Sequence, residues 1–474
     1  DSIMKRILPV FLLILNSTAL SAQTFPVDTL FKNGKLQERI NLVFLSDGYK
    51  ADEMTKYITD VNALLNNLFS QVPFTHYKNY FNAFAVKVPS NESGARHPQT
   101  SSDSDCLPVP QRTVVDNYFG STFDSFNIHR LLVPNNSVAI ANVLANSFPL
   151  YDQVFVLVNS PYYGGSGGPN ATSSTHTSAH EVSIHEIGHS FAGLADEYWA
   201  GASYAAEKPN LTQQSSPTLV KWANWVGTSG VGVYPHNEAP TWYRPHQNCK
   251  MRILNVPFCS VCNETFIERI HTLVNPLVSY TPATLSMELG DQPIVLSLSL
   301  IKPEPNTMSV TWKRNETTFD TNKESVSLSP ASFTTNVTKI KAIVTDNTAL
   351  SRSATHSVNH VYVVEWTITT DNPSDPITSV EVRSAKSEYR IQVYPNPTNL
   401  DFSFSYLLPK SSKVSVTVSD LSGRKVRSLV SQRQEAGEHI YQYKANDVFK
   451  SVGEFIVTFS FDDIIISRKV IHQN

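Results

Sequence analysis

Hydrophobic positions in the first part of the chain follow two different periods. Residues 39–45 (RINLVFL) form a continuous apolar run, the pattern of a strand buried on both faces. Ser46-Asp47-Gly48-Tyr49 reads as a turn, and Asp47 is expected to cap the helix that follows. That helix is predicted over residues 51–69, where Met54, Ile58, Val61, Leu64, Leu65 and Leu68 recur at helical spacing. Residues 81–88 and 153–158 (QVFVLV) predict two further strands. The second leads into the loop Gly164-Gly165-Ser166-Gly167-Gly168. Strands alternating with a helix give residues 23–280 an α/β rhythm.

Beyond Tyr280 the period becomes two. Residues 291–300, 309–313, 339–345 and 360–368 alternate apolar and polar positions between turn residues, with Trp312 on an inner strand. This predicts an immunoglobulin-like β-sandwich over 281–369. Residues 370–388 are polar and read as a linker. Residues 389–474 alternate again, at 413–418, 437–443 and 454–461, and predict a second small β-sandwich.

Composition narrows the function classes. The 474 residues carry a formal net charge of −3 and only 17% charged residues. No stripe of Lys or Arg is present, so a nucleic-acid partner is not expected. Met4, Lys5 and Arg6 precede an apolar core from Ile7 to Leu15, and small residues follow at Ala19, Ser21 and Ala22. This predicts a signal peptide over residues 1–22 and an exported protein. The core is too short to anchor stably in a bilayer, and no later stretch predicts a transmembrane segment. Cys106, Cys249, Cys259 and Cys262 in an exported chain read as two disulfides, which would join Cys106 to one of the other three. The rival, a zinc ribbon, needs a further ligand pair near Cys106, and the sequence offers none.

The chemistry is concentrated in His185-Glu186-Ile187-Gly188-His189. Histidines at i and i+4 share one helix face and suit a single Zn²⁺, while Glu186 falls beside the metal as a general base. Ser178-Ala179-His180-Glu181 has the form of a capping box, which starts the helix there. Gly188 costs about 1 kcal/mol relative to alanine in a helix, so something is expected to pack closely on the backbone. Gly193 suits the helix C-terminus. His176 and His180 lack ligand spacing to His185. The glycine-rich loop does not open a helix, which excludes a phosphate loop, and it is expected to admit substrate backbone instead.

HEIGHSFAGLADEYW resembles the signature of the IgA-cleaving metallopeptidases, a family related to the metzincins. Further matches are INLVFLSDGY at 40–49, Tyr163-Gly164-Gly165, and the run from Asn248-Cys249-Lys250-Met251-Arg252 to Phe258-Cys259-Ser260-Val261-Cys262, which resembles a methionine turn. The likeness covers about residues 35–275. It implies an α/β metzincin-like catalytic domain over 23–280, ahead of the two all-β domains. In metzincins a glycine follows the second histidine by three positions, and the third ligand lies three beyond the glycine. Here Gly193 lies four after His189, a departure of one residue. The remaining step is kept if Asp196 is the third ligand, with Glu197 as its rival; Asp196 could instead orient a histidine.

Val393-Tyr394-Pro395-Asn396-Pro397-Thr398, with Leu421-Ser422-Gly423-Arg424 and Ala436-Gly437-Glu438 downstream, resembles the C-terminal sorting domain of type IX (Por) secretion. Together the resemblances imply a secreted or cell-surface zinc metalloendopeptidase. Its partners would be a protein or glycoprotein substrate and the type IX machinery, and it needs no organic cofactor. Immunoglobulin A, mucin-type glycoproteins and dietary protein are alternative substrates. A surface binding protein that merely keeps a peptidase fold is the reading from another class, and it leaves Glu186 without a use.

Overall fold

Six strands form the sheet on which the functional residues are hung. Their spatial order is Val27–Lys32, Phe81–Val86, Ile40–Asp47, Gln153–Val158, Ala171–Ser173 and Gly165–Ser166. Ile40–Asp47 pairs in parallel with both neighbours, Ile40 facing Phe81 and Leu42 facing Gln153. Gln153–Val158 is parallel to Ala171–Ser173. The two outermost strands are antiparallel. The computed structural model describes residues 23–370, 389, 391–420, 424–449, 451–462 and 464–473. The predicted signal peptide lies outside the described residues, as does nearly all of the predicted linker. No helix among the described residues is long and apolar enough to cross a membrane.

The apolar run at 39–45 is buried because the sheet has a core on each side. Ile40, Leu42 and Phe44 pack with Phe155, with Val61, Leu64 and Leu68 of the Met54–Leu68 helix, and with Ile184 and Ile187. Val43 and Leu45 face the other way, onto Val154, Val156, and Ile140, Val143 and Leu144 of the Ser137–Ser147 helix. Alternate side chains of one strand therefore feed two cores.

The turn after the central strand behaves differently from its sequence reading. Asp47 is fully buried and accepts the backbone N–H groups of Phe119 (2.9 Å) and Ser121 (3.1 Å). It pins a loop 72 to 74 residues away in sequence, and the next helix starts without it. The Lys50 N–H is taken by Glu53 instead, at 2.8 Å.

The chain divides into two compact units. The first comprises the chain up to Ala283 with Val295–Leu328 and Ile340–Glu365; the second comprises Thr284–Ile294, Ser329–Lys339 and Trp366–Asn474. In the first unit, Met308–Arg314 pairs antiparallel with Thr317–Thr321 and with the segment from Ile340 to Asp346, and Leu277–Thr281 pairs with the segment from Ser297 to Leu300. Trp312 is fully buried and its Nε1–H donates to the Lys323 carbonyl at 2.8 Å. In the second unit, one sheet of Gln392–Tyr394, Asp401–Leu408 and Gly437–Lys444 and another of Lys425–Gln434, Ser412–Asp420, Gly453–Phe461 and Ile464–His472 enclose a core of their own around Phe402, Phe404, Val416 and Phe459.

Candidate metal centre

The helix Ala179–Ser190 carries both motif histidines, with Ile184 and Ile187 turned into the core. It begins where the capping box predicts, but the box does not form. Ser178 makes no side-chain cap, and Glu181 turns to the Lys250 ammonium, to Gln71 Nε2 (2.9 Å) and to the Asn255 N–H (2.9 Å). The reason is electrostatic: Lys250 is 1% exposed, and a buried ammonium requires a counter-charge more than a helix end requires a cap. Burial pushes the Glu181 carboxyl up, but the hydrogen bond and charge of Lys250 outweigh it and hold it below the usual range.

Gly193, at φ +66°, reverses the chain after the helix. Its N–H donates to the His189 carbonyl, and Leu194 N–H to the Gly188 carbonyl. The reversal returns Asp196 to the histidines. Asp196 Oδ1 lies 3.0 Å from His185 Nε2 and 3.3 Å from His189 Nε2, and the two Nε2 atoms are 3.2 Å apart. Glu197 points the opposite way, fully buried, toward Cys262 and Asn210.

The outer ring nitrogens are fixed by backbone. His185 Nδ1–H donates to the Lys250 carbonyl (2.9 Å) and His189 Nδ1–H to the Leu194 carbonyl (2.8 Å). This leaves each Nε2 lone pair for whatever occupies the centre. Burial alone would lower His189, but the Asp196 carboxylate outweighs it and raises the ring to about 9. Asp196 is in turn held well below its usual value, since the two rings outweigh its burial.

Glu186 Oε2 stands 3.9 Å from His189 Nε2, and burial pushes its carboxyl up. A buried carboxylate of raised basicity beside a metal-ligand set is suited to accept a proton. Beneath the helix, a Cβ on Gly188 would lie 2.5 Å from Met251 Sδ, which identifies the close packing that the glycine implied. The glycine-rich loop packs in part against the chain itself, while Ser166, Gly167 and Gly168 line the cleft beside the centre. A Cβ on Gly167 would meet Glu186 Oε2 and His189 Cβ at 2.8 Å, and one on Gly164 would meet the Arg130 carbonyl at 2.7 Å. His176 accepts the Ser178 N–H at 3.1 Å and stays out of the centre.

Two clefts of about 560 and 470 Å³ meet here, sharing His185, Glu186, Asp196 and Tyr198. Arg130 and Tyr163 line the first, Gly167 and Lys208 the second. Sequence reasoning missed Tyr198, Tyr163 and Arg130. Tyr198 stacks on His185 with an interplanar angle of 18°. Burial and then the Asp196 charge raise its hydroxyl, which therefore remains a donor. Its place in DEYW was the available signal; Arg130 and Tyr163 had none beyond the loop that carries Tyr163.

The four cysteines are all free. Cys106 donates to Asp124 Oδ1 (3.3 Å), which also meets His129 Nδ1 at 2.7 Å. Cys249, Cys259 and Cys262 gather around Glu197. The two-disulfide expectation therefore does not hold, because the fold seats Cys106 in a separate cluster from its supposed partners.

Residues 29–238 match the family model described as IgA Peptidase M64, and residues 392–473 match the one described as Secretion system C-terminal sorting domain. The first match indicates a peptidase, and the second a tail of the Por secretion type that directs export to the cell surface or beyond. No curated protein matches the chain. Solved structures with some likeness include the fibronectin(III)-like modules of Clostridium thermocellum CbhA, at 13% identity and a TM-score of 0.14, covering 41% of this chain and 93% of theirs. SGBP-B of a Bacteroides ovatus mixed-linkage glucan utilization locus aligns at 11% identity and 0.15, covering 41% of this chain and 68% of its own. Superposition at that level defines no shared fold.

Proposed function

We propose that the chain is an exported zinc metalloendopeptidase in which His185, His189 and Asp196 hold the ion and Glu186 is the general base. The observation that carries this is the spacing of the three donor atoms, 3.0 to 3.3 Å. A tetrahedral zinc about 2.0–2.1 Å from N and O ligands separates them by roughly 3.3 Å. Three protein ligands leave one position for catalysis. The helix with its motif, the returning Asp196 and the Met251 packing support a metzincin-like arrangement. Two clefts meeting at the centre suit a chain that extends to both sides of the cleaved bond, hence an endopeptidase.

Zinc held there supplies a Lewis acid that acidifies water and polarises the scissile carbonyl. Glu186 takes the proton of the attacking water and delivers it to the nitrogen of the breaking C–N bond. Tyr198 holds a hydroxyl donor beside the centre, and the backbone bonds to His185 and His189 keep both rings in one tautomer. The substrate class is protein or glycoprotein outside the cell, immunoglobulin A being the candidate that the family description names. The C-terminal domain delivers the enzyme through type IX machinery.

Glu186→Ala should keep the wild-type zinc content while cleavage falls by at least roughly a hundredfold, because only the base is removed. Chelation should abolish the wild-type activity. Full activity in the variant would end this mechanism. Mapping fragment N-termini after incubation with host glycoproteins, immunoglobulin A among them, reads out the substrate.

A further inference from the structure

Behind the histidine centre lies a second convergence of donors. Cys249, Cys262 and Glu197 are fully buried, and Cys259 is 6% exposed. Cys262 Sγ stands 3.7 Å from Cys249 Sγ, 3.6 Å from Cys259 Sγ and 3.3 Å from Glu197 Oε1. All four donor atoms lie within 4.8 Å of one another. We propose that Cys249, Cys259, Cys262 and Glu197 bind a second, structural zinc ion.

The distances are those such an ion imposes. Tetrahedral zinc at about 2.3 Å from sulfur and 2.0–2.2 Å from oxygen sets S···S near 3.8 Å and S···O near 3.5 Å. Glu197 Oε2 is buried without a hydrogen-bond partner. A carboxylate oxygen so placed is costly unless a cation compensates it. Oε1 is already oriented by Asn210 Nδ2 at 3.1 Å. The Cys259 N–H donates to Cys249 Sγ at 3.3 Å, a contact that favours a thiolate there. Cys259 is also the N-cap of the Ser260–Leu273 helix, where the dipole stabilises thiolates. Disulfide chemistry does not account for the group: three cysteines cannot all pair, and Cys106 belongs to a different cluster. The matched peptidase model ends at residue 238, before all three thiols.

The site explains what holds the catalytic side in place. Glu197 adjoins Asp196 in sequence and its N–H donates to the Met251 carbonyl at 2.7 Å. Cys249 adjoins Lys250, whose carbonyl receives His185 Nδ1–H. One ion thus joins the segment carrying Asp196, the turn carrying Met251, and the helix beginning at Cys259. The set is closed, with four protein ligands, as structural zinc sites are.

This assignment is independent of the catalytic reading, and the test separates them. The purified mature chain and its His185→Ala/His189→Ala variant are analysed for zinc, for thiols after unfolding in chelator, and for the absorption of their cobalt-substituted forms. The variant should retain about one zinc per chain, as a closed four-ligand site requires. Four thiols should be counted, and sulfur-to-cobalt charge transfer should appear in both proteins. Cys262→Ser should lose that absorption. Absence of the charge-transfer band in the wild-type protein, which needs no substitution to fold, overturns the proposal. So does the loss of a thiol pair to a disulfide. If the histidines bind no metal, wild type and variant hold equal zinc, and only the catalytic reading falls.

Discussion

Gly188 lies one residue before His189, on the helix side turned to Met251 Sδ. Glycine is poor in a helix, and here its reason is contact: the thioether occupies the volume a Cβ would take. Gly188→Ala would gain about 1 kcal/mol of helix propensity and lose about 1–3 kcal/mol to overpacking against a fully buried methionine. The expected net result is a loss of stability of up to roughly 2 kcal/mol, with a weakened hold on the proposed zinc. Met251→Ala opens space, so the glycine substitution should cost much less in that background. Urea unfolding of the two single variants and the double variant measures the coupling. Simple additivity would mean that the contact sets nothing.

At the scale of elements, the Ser260–Leu273 helix is held by a carboxylate clamp within the first unit. Glu268 receives His356 Nδ1 (2.6 Å), His360 Nε2 (3.0 Å) and Ser351 Oγ (2.7 Å). One turn away, His271 Nε2 and Tyr77 Oη meet Asp346 at 2.8 and 2.6 Å. Burial raises Glu268, but its histidine partners outweigh it and hold it well below the usual range. Burial lowers His356, but the hydrogen bond its ring donates to Glu268 outweighs it and raises the ring. The Glu268 contribution is present above its unfolded value of about 4.3 and is lost as pH falls through the folded one. The His356 contribution is complete below about 6.5 and is lost as pH rises through the raised folded value. Both operate between roughly pH 4.5 and 6.5. Glu268→Gln should cost about 1–3 kcal/mol in that window, nearer the lower figure because Glu268 keeps some exposure to solvent. His271, lowered by burial, adds an opposing slope in both proteins, so the difference in melting temperature isolates the clamp. A difference that is flat from pH 4 to 9 would refute the assignment.

For the whole molecule, the terminal β-domain brings its own interior. Among the described residues its core draws only on residues 389–470, while the functional residues lie between 130 and 262. A chain ending at Ser387 should therefore fold and cleave substrate as well as the full one. In a host with type IX secretion, that truncation should hold the enzyme inside the cell envelope, whereas the full chain reaches the outside. Fractionation of cells carrying each form decides this, and equal amounts outside would remove the sorting role.

Much of this was legible in the sequence because it is local. The apolar run at 39–45 predicted a doubly covered strand, the strand at 153–158 was read with its observed bounds, and the alternating runs after Tyr280 became strands within a few residues. The i, i+4 histidines needed only helix geometry to converge, and Gly193 needed only its left-handed turn to bring the chain back. What the tertiary structure decided is where polar and sulfur groups go once their local role is open. Glu181 left its helix cap for Lys250, Asp47 left the next helix for the 117–121 loop, and Glu197 turned from the histidines to three thiols. Spacing along the chain cannot foresee these choices. Each is set by the free energy of giving a buried polar group a partner that only the folded chain brings within reach.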